Sequence, residues 1–206
     1  MTPPPPIEPS PRIPSLPAGP DVGPARPTRR TVRVRLDVPT PADADEFLAL
    51  MRENRAYHAP WATPPATPEA YRRYLDRLKD GRHAPRLARR NDSGRIIGAV
   101  NLSEIVHGAL QGCYAGWYGS ALHAGEGLMT DAVAAGVDLA LRGTDTGGLG
   151  LHRVEANIQP GNLRSRRLAR RVGFRLEGFS PKYLRIGGRW CDHERWAITR
   201  EMRSTG

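Results

Sequence analysis

Cysteine is scarce in this chain: Cys113 and Cys191 are its only two. So distant a pair supplies neither a disulfide framework nor the tight ligand spacing of a structural metal site. Both are read as reduced, partly buried thiols, and no metal is expected. Long apolar runs are missing as well. No stretch approaches the ~20 apolar residues that cross a bilayer, so no membrane partner is expected. No apolar central region follows the start, which speaks against a secretory signal, and a soluble, cytoplasmic protein is expected. Acidic side chains are in deficit, 21 against 31 Lys and Arg, a net charge of +10. That balance suits an anionic ligand or a nucleic-acid-rich partner. A general Arg, Pro, Ala and Gly bias competes with that explanation, and no sequence-specific nucleic-acid binding is expected. The densest basic runs fall at residues 26–30 and 86–90.

Proline is plentiful, 20 in all, and unevenly spread. Residues 1–30 carry Pro3 to Pro6 and seven later prolines with almost no large apolar side chains. Such a segment cannot bury enough surface to offset its ordering entropy. It is read as a disordered or polyproline II-like tail, leaving one domain over residues 31–203.

Within that domain the hydrophobic periodicity switches repeatedly. Residues 31–36 alternate with period two, as a half-buried strand does. Thr40-Pro41-Ala42-Asp43 starts a helix whose apolar stripe is Phe47, Leu48, Leu50 and Met51. Residues 55–68 hold four prolines and read as loop. Tyr71, Tyr74, Leu75 and Leu78 mark a second helix. Asn91-Asp92-Ser93-Gly94 is a hairpin turn between a strand near Leu87 and one over 96–102. A strand over 112–118 precedes Gly125-Glu126-Gly127 and a helix from Leu128 to Leu141. A strand over 151–158, a helix over 162–172 capped by Gly173, and strands over 175–185 and 189–200 complete the order. The predicted class is a mixed α/β or α+β sheet flanked by helices. There are no repeats and no oligomer signature, so monomer and homodimer both stand.

The strand, glycine turn and helix around residues 122–128 form a ready anion site. The first amides of a helix lack internal partners, its dipole favours negative charge, and glycine admits a phosphate close to the backbone. Gly-x-Gly alone is also an ordinary tight turn. The third glycine of a dinucleotide fingerprint and the lysine of a Walker A loop are both missing. Downstream, Asn162 and Ser165 stand three apart at a helix start. Asn162 reads as an N-cap, which leaves the Ser165 hydroxyl free to face a thiolate.

These residues, taken in order, resemble the Gcn5-related N-acetyltransferases, and among them the ribosomal-protein-alanine acetyltransferases of the RimJ/RimL type. The resemblance runs from about Thr31 to Thr199. It is carried by Ile97-Gly98-Ala99-Val100-Asn101-Leu102-Ser103, Cys113-Tyr114-Ala115-Gly116-Trp117 and Gly125-Glu126-Gly127-Leu128-Met129. Leu151-His152-Arg153-Val154-Glu155-Ala156-Asn157, Asn162-Leu163-Arg164-Ser165, Gly173-Phe174 and Trp190-Cys191-Asp192-His193 continue it. Upstream, Arg55, His58, Pro60 and Trp61 match the family's loop.

The resemblance implies a mostly antiparallel sheet whose two central parallel strands splay apart to admit pantetheine. It implies acetyl-CoA as co-substrate and direct attack by an amine. Trp117, Tyr118, Leu122, His123, Ala124, Gly125, Glu126, Gly127, Leu128, Asn157, Asn162 and Ser165 are the cofactor-binding candidates. The family usually has Gln or Arg where this chain has Leu122, so phosphate binding is expected through backbone amides with little side-chain help. Ser165 is the candidate partner of the leaving thiol, with Asn157 and Asn162 orienting pantetheine or amine. Glu104 is the candidate base, because it follows the strand ending near the acetyl site. Tyr183 is the alternative acid or substrate-side group. His58, Trp61 and Asn101 are substrate-side candidates. Cys113 lies inside a strand, and direct transfer needs no acyl-enzyme.

A protein α-amine has a pKa near ~7.7–8.0 against ~10.4 for lysine, so a weak base suffices for it. The acceptor is expected to be a protein N-terminus, such as that of a ribosomal protein. A small amine (aminoglycoside or polyamine) and a non-catalytic basic ribosome- or nucleic-acid-binding module are the alternatives.

Overall fold

The computed structural model describes residues 33–204; the Pro-rich stretch and the expected start of the first strand at Thr31 lie outside the described residues. Seven strands form one sheet in the order β1-β2-β3-β4-β5-β7-β6. They are β1 (Val34–Asp37), β2 (Ala84–Arg90), β3 (Ile96–Val106), β4 (Gly112–Gly119), β5 (Arg153–Ile158), β6 (Arg175–Ile186) and β7 (Arg189–Thr199). Every neighbouring pair is antiparallel except β4 with β5.

Successive strand residues face opposite sides of a sheet, and here they sort into two cores. Ala88, Ile97 and Val100 join the larger core with α4 (Leu128–Leu141) and α5 (Leu163–Val172). Leu87, Ile96 and Ala99 pack on the other face with Phe47, Met51, Tyr71 and Tyr74. Those four belong to α1 (Ala44–Glu53) and α3 (Pro68–Asp76). Helix α4 sits close against the sheet because Gly136 faces Val100; a Cβ there would lie 2.7 Å from Val100 Cγ1. Pro68 occupies the first turn of α3, and the Thr67 hydroxyl accepts from the Ala70 amide at 3.2 Å. A last helix, α6 (Arg200–Ser204), follows β7.

Three expectations are corrected. Residues 55–68 are not all loop: Arg55–His58 form a one-turn helix, α2, because the breaking prolines begin only at Pro60. The strand expected to end at Leu102 runs to Val106, so Glu104 lies within β3 and does not follow it. Glu104 takes a positive φ of 50°, and the β3–β4 register shifts between Ser103 and Val106; an irregular strand of this kind loses its period-two signature. The basic run at 86–90 is not a free surface. Arg89 is bound by Asp37, Asp43 and Glu46, and Arg90 by Asp92 and Glu126.

Candidate active site

Strands β4 and β5 pair only from Gly112 to Tyr114 against Arg153 to Glu155. Beyond that, β4 keeps bonding β3 as far as Gly119, and β5 keeps bonding β7 as far as Ile158. The facing edges of Ala115–Gly119 and Ala156–Ile158 therefore separate. Buried backbone groups require partners, and an inserted chain carrying amides would supply them. A cavity of about 290 Å³ lies in this opening, walled by Trp117, Tyr118, Asn157, Asn162, Ser165 and others. The Asn157 Oδ1 is buried and has no hydrogen-bond partner, so this wall too offers an acceptor to an N–H donor.

One wall is the start of α5. Asn162 is its N-cap, accepting from the Ser165 amide at 3.2 Å. The Ser165 Oγ in turn accepts from Trp117 Nε1 at 3.3 Å. An indole nitrogen only donates, so the serine's own proton remains available to an acceptor in the cavity. A second part of the lining comes from α2 and the residues after it, packed against the α5 start. Trp61 packs on Gly161, where a Cβ would lie 3.0 Å from the indole, and Gln159 Nε2 donates to the Trp61 carbonyl at 3.4 Å. Arg164 stacks over the Tyr57 ring at 4.0 Å. His58 and Trp61 thus both line the cavity.

The turn before α4 holds the other expected ligands. Gly125 and Gly127 have φ of 90° and 78°, a left-handed conformation that favours glycine. Gly127 is the N-cap of α4. Ser120 Oγ accepts from the Leu122 amide at 3.2 Å, and Asn54 Oδ1 from the Ala121 amide at 2.7 Å, which fixes the approach to this turn. Leu122 is 82% exposed. His123 Nδ1 lies 3.0 Å from the Glu126 carboxylate. A cation missed in the sequence reading stands here: Arg33 Nη1 donates to the Glu126 carbonyl at 3.0 Å, and the same guanidinium clasps Asp131. Nothing in the sequence announces it, since Arg33 is 93 residues away along the chain.

Residues 122–128 of the glycine turn do not line the cavity, and three further candidates also lie outside its walls. Glu104 is half-exposed and ion-paired with Arg82. The Asn101 Oδ1 accepts from the Tyr74 hydroxyl at 2.7 Å. Tyr183 lies with its hydroxyl 3.5 Å from that of Tyr114, and its ring meets His193 edge-on at 6.2 Å between centroids. His193 does line the cavity, and the sequence reading gave it no role. Burial pushes the Cys113 thiol up to about 12, which keeps it protonated and un-nucleophilic. Among the described residues no cluster of His, Cys, Asp or Glu is placed to hold a metal ion.

Burial also lowers the pKa of both His58 and His193 below the ordinary 6.5. For His58 the Gly119 carbonyl opposes that shift and Arg164 adds to it. For His193 the Cys191 carbonyl and Asp192 oppose it. A base with a lowered folded-state pKa binds protons more readily when unfolded. Its stabilising contribution is complete above about pH 6.5 and is lost as pH falls toward the folded value. Tm is therefore expected to drop on acidification below neutrality, and His58→Gln to lessen that drop, as thermal melts across this range will read.

The comparisons with known proteins agree with this geometry. The model of the acetyltransferase (GNAT) domain matches residues 33–175. The Bacillus subtilis protein named "Probable N-acetyltransferase YjcK" is 37% identical over 179 residues, 82% of this chain and 94% of that one. The Escherichia coli ribosomal protein uS5-alanine N-acetyltransferase is 38% identical over 108 residues, 52% of this chain and 53% of the relative. Among solved structures, Mycobacterium smegmatis RimJ in complex with CoA-disulfide superposes with a TM-score of 0.73 at 28% identity, over 82% of each chain. The splayed strands, the glycine turn at a helix start and the matched sequence converge on one conclusion: this chain belongs to the GNAT acetyltransferase family and is an N-acetyltransferase.

Proposed function

We propose that the protein transfers an acetyl group from acetyl-CoA to the N-terminal α-amine of a protein, with a ribosomal protein as the favoured class of acceptor. The observation that carries this reading is the charge of the cavity. No carboxylate lines it among the described residues, and Arg164 stands on its wall. A polyamine or aminoglycoside brings several ammonium groups and calls for acidic partners. A peptide brings one amine, already partly neutral near pH 7. The likeness to the Escherichia coli uS5-alanine N-acetyltransferase supports the same choice. On this reading residues 31–203 form the catalytic domain and the cytoplasm is the site of action.

Bound acetyl-CoA supplies the acetyl group as a thioester, whose C–S bond breaks as the C–N bond forms. The chain's residues provide the setting. The α4 start and its glycine turn hold the pyrophosphate, with the Arg33 guanidinium adjacent. The open edges of β4 and β5, with Asn157, hold the pantetheine amides. Ser165 offers its proton to the departing sulfur, with its oxygen held by Trp117.

The test is acetyl-CoA turnover against peptides with Ala, Ser or Met at the N-terminus, N-terminally blocked lysine peptides, spermidine and an aminoglycoside. Free α-amine peptides are expected to exceed the other amines by at least about tenfold in kcat/KM, the scale of a pocket that matches a single amine. Activity confined to the polyamine or aminoglycoside overturns the reading.

A further inference from the structure

We propose that His193 is the group that takes the proton from the incoming amine, an inference that rests on the amine-acetylating reading above. Five titratable side chains line the cavity: Tyr57, His58, Tyr118, Arg164 and His193. The guanidinium of Arg164 keeps its proton, and burial raises the Tyr118 phenol. Only an imidazole exchanges a proton readily near neutral pH.

The backbone fixes which nitrogen of each ring is free. His58 Nε2 lies 2.8 Å from the Gly119 carbonyl, and His193 Nδ1 lies 2.9 Å from the Cys191 carbonyl. A carbonyl only accepts, so each of these nitrogens carries the hydrogen. The lone pairs are then His58 Nδ1 and His193 Nε2. His58 Nδ1 is buried, shut from solvent and without a partner. His193 Nε2 is not shut off in this way, and among the described residues nothing bonds to it. His193 lines the cavity, and with Nδ1 tied to its own strand, Nε2 is the nitrogen left to meet an amine there.

Its surroundings keep it neutral and aligned. The Tyr183 ring of β6 packs against it edge-on. Asp192, beside it on β7, accepts from the Lys182 amide at 2.8 Å. Glu194, on its other side, is engaged by Arg166 and Trp196. Arg164, His58, Tyr57 and Tyr118 complete the charged and titratable groups of the cavity. Burial lowers the imidazole's pKa below the ordinary 6.5, which favours its neutral form near pH 7. In the proposed step His193 Nε2 accepts one proton from the ammonium, and the neutral amine attacks the acetyl carbon. The C–S electron pair stays on sulfur, which takes up the second amine proton by way of Ser165. His193 then gives its proton to solvent, so one proton is released per turnover.

Two measurements test this together. Nitrogen-resolved NMR of the imidazoles in the protein without acetyl-CoA is expected to show His193 as the Nδ1–H tautomer with a midpoint below 6.5. Kinetically, His193→Asn keeps a donor for the Cys191 carbonyl and removes the base. Its kcat is expected to fall by about 100-fold near neutrality with the acetyl-CoA KM within about twofold, and the deficit to shrink as pH rises and the amine deprotonates unaided. An unchanged kcat, or a deficit that is constant with pH, overturns the proposal; so does an Nε2–H tautomer or an imidazole protonated at pH 7. His193→Gln serves if the Asn variant unfolds, with the same expected pH-dependent deficit. If the wild type acetylates no amine, the functional reading fails by itself, and the NMR result still decides the imidazole's state.

Discussion

Ser165→Ala is expected to lower kcat by about 100–1000-fold while leaving the acetyl-CoA KM within about threefold, the size of effect that loss of one preorganised donor produces. Trp117 donates to Ser165 Oγ, so the hydroxyl proton points elsewhere, and Asn162 holds the first turn of α5 in place. Removing the oxygen leaves the cavity intact and takes away the proton offered to sulfur. Asn162 still caps the helix, so stability should change little. Steady-state kinetics with a saturating amine separates the two parameters. A raised KM with unchanged kcat would mean that Ser165 only binds.

Gly127→Val is expected to act in the opposite way, weakening acetyl-CoA binding by about 10–100-fold through a turn that costs on the order of 1–3 kcal/mol to hold. Gly127 has φ 78°, and a β-branched residue is strained there. A Cβ would also lie 3.3 Å from the Arg33 guanidinium. Relief of both requires the turn to move, which takes the first amides of α4 out of line. The helix itself is held by buried Ala132, Val133 and Val137, so the fold should survive. Titration of the variant with acetyl-CoA reads the loss. An affinity equal to wild type would place the pyrophosphate somewhere else.

The fold was largely legible because periodicity and punctuation agree along most of the chain. Gly173 ends α5 as a left-handed cap, and the turn at 91–94 joins β2 to β3. What escaped was whatever depends on irregular backbone. The β3 extension through Glu104 carries a positive φ and a register shift, and α2 is a single turn ahead of prolines. The clustering of the site was legible where its residues are close in sequence, as Asn157, Asn162 and Ser165 are, which all line one cavity. It was not legible where distant segments meet. Arg33 reaches the glycine turn from β1, and His193 reaches the cavity from β7. Arg33 looked in sequence like an ordinary strand residue, and His193, though part of the matched segment Trp190-Cys191-Asp192-His193, was given no role. Glu104 shows the converse: nearness to a motif suggested a base, while in space Arg82 claims the carboxylate and the cavity lies elsewhere.

The central claim is that the splayed strands and the α4 start form an acetyl-CoA site. Isothermal titration of the wild-type protein with acetyl-CoA tests it most directly. Saturable heat with one acetyl-CoA per chain, much reduced in Gly127→Val, is the predicted result. No detectable binding by the folded wild-type protein would contradict the account.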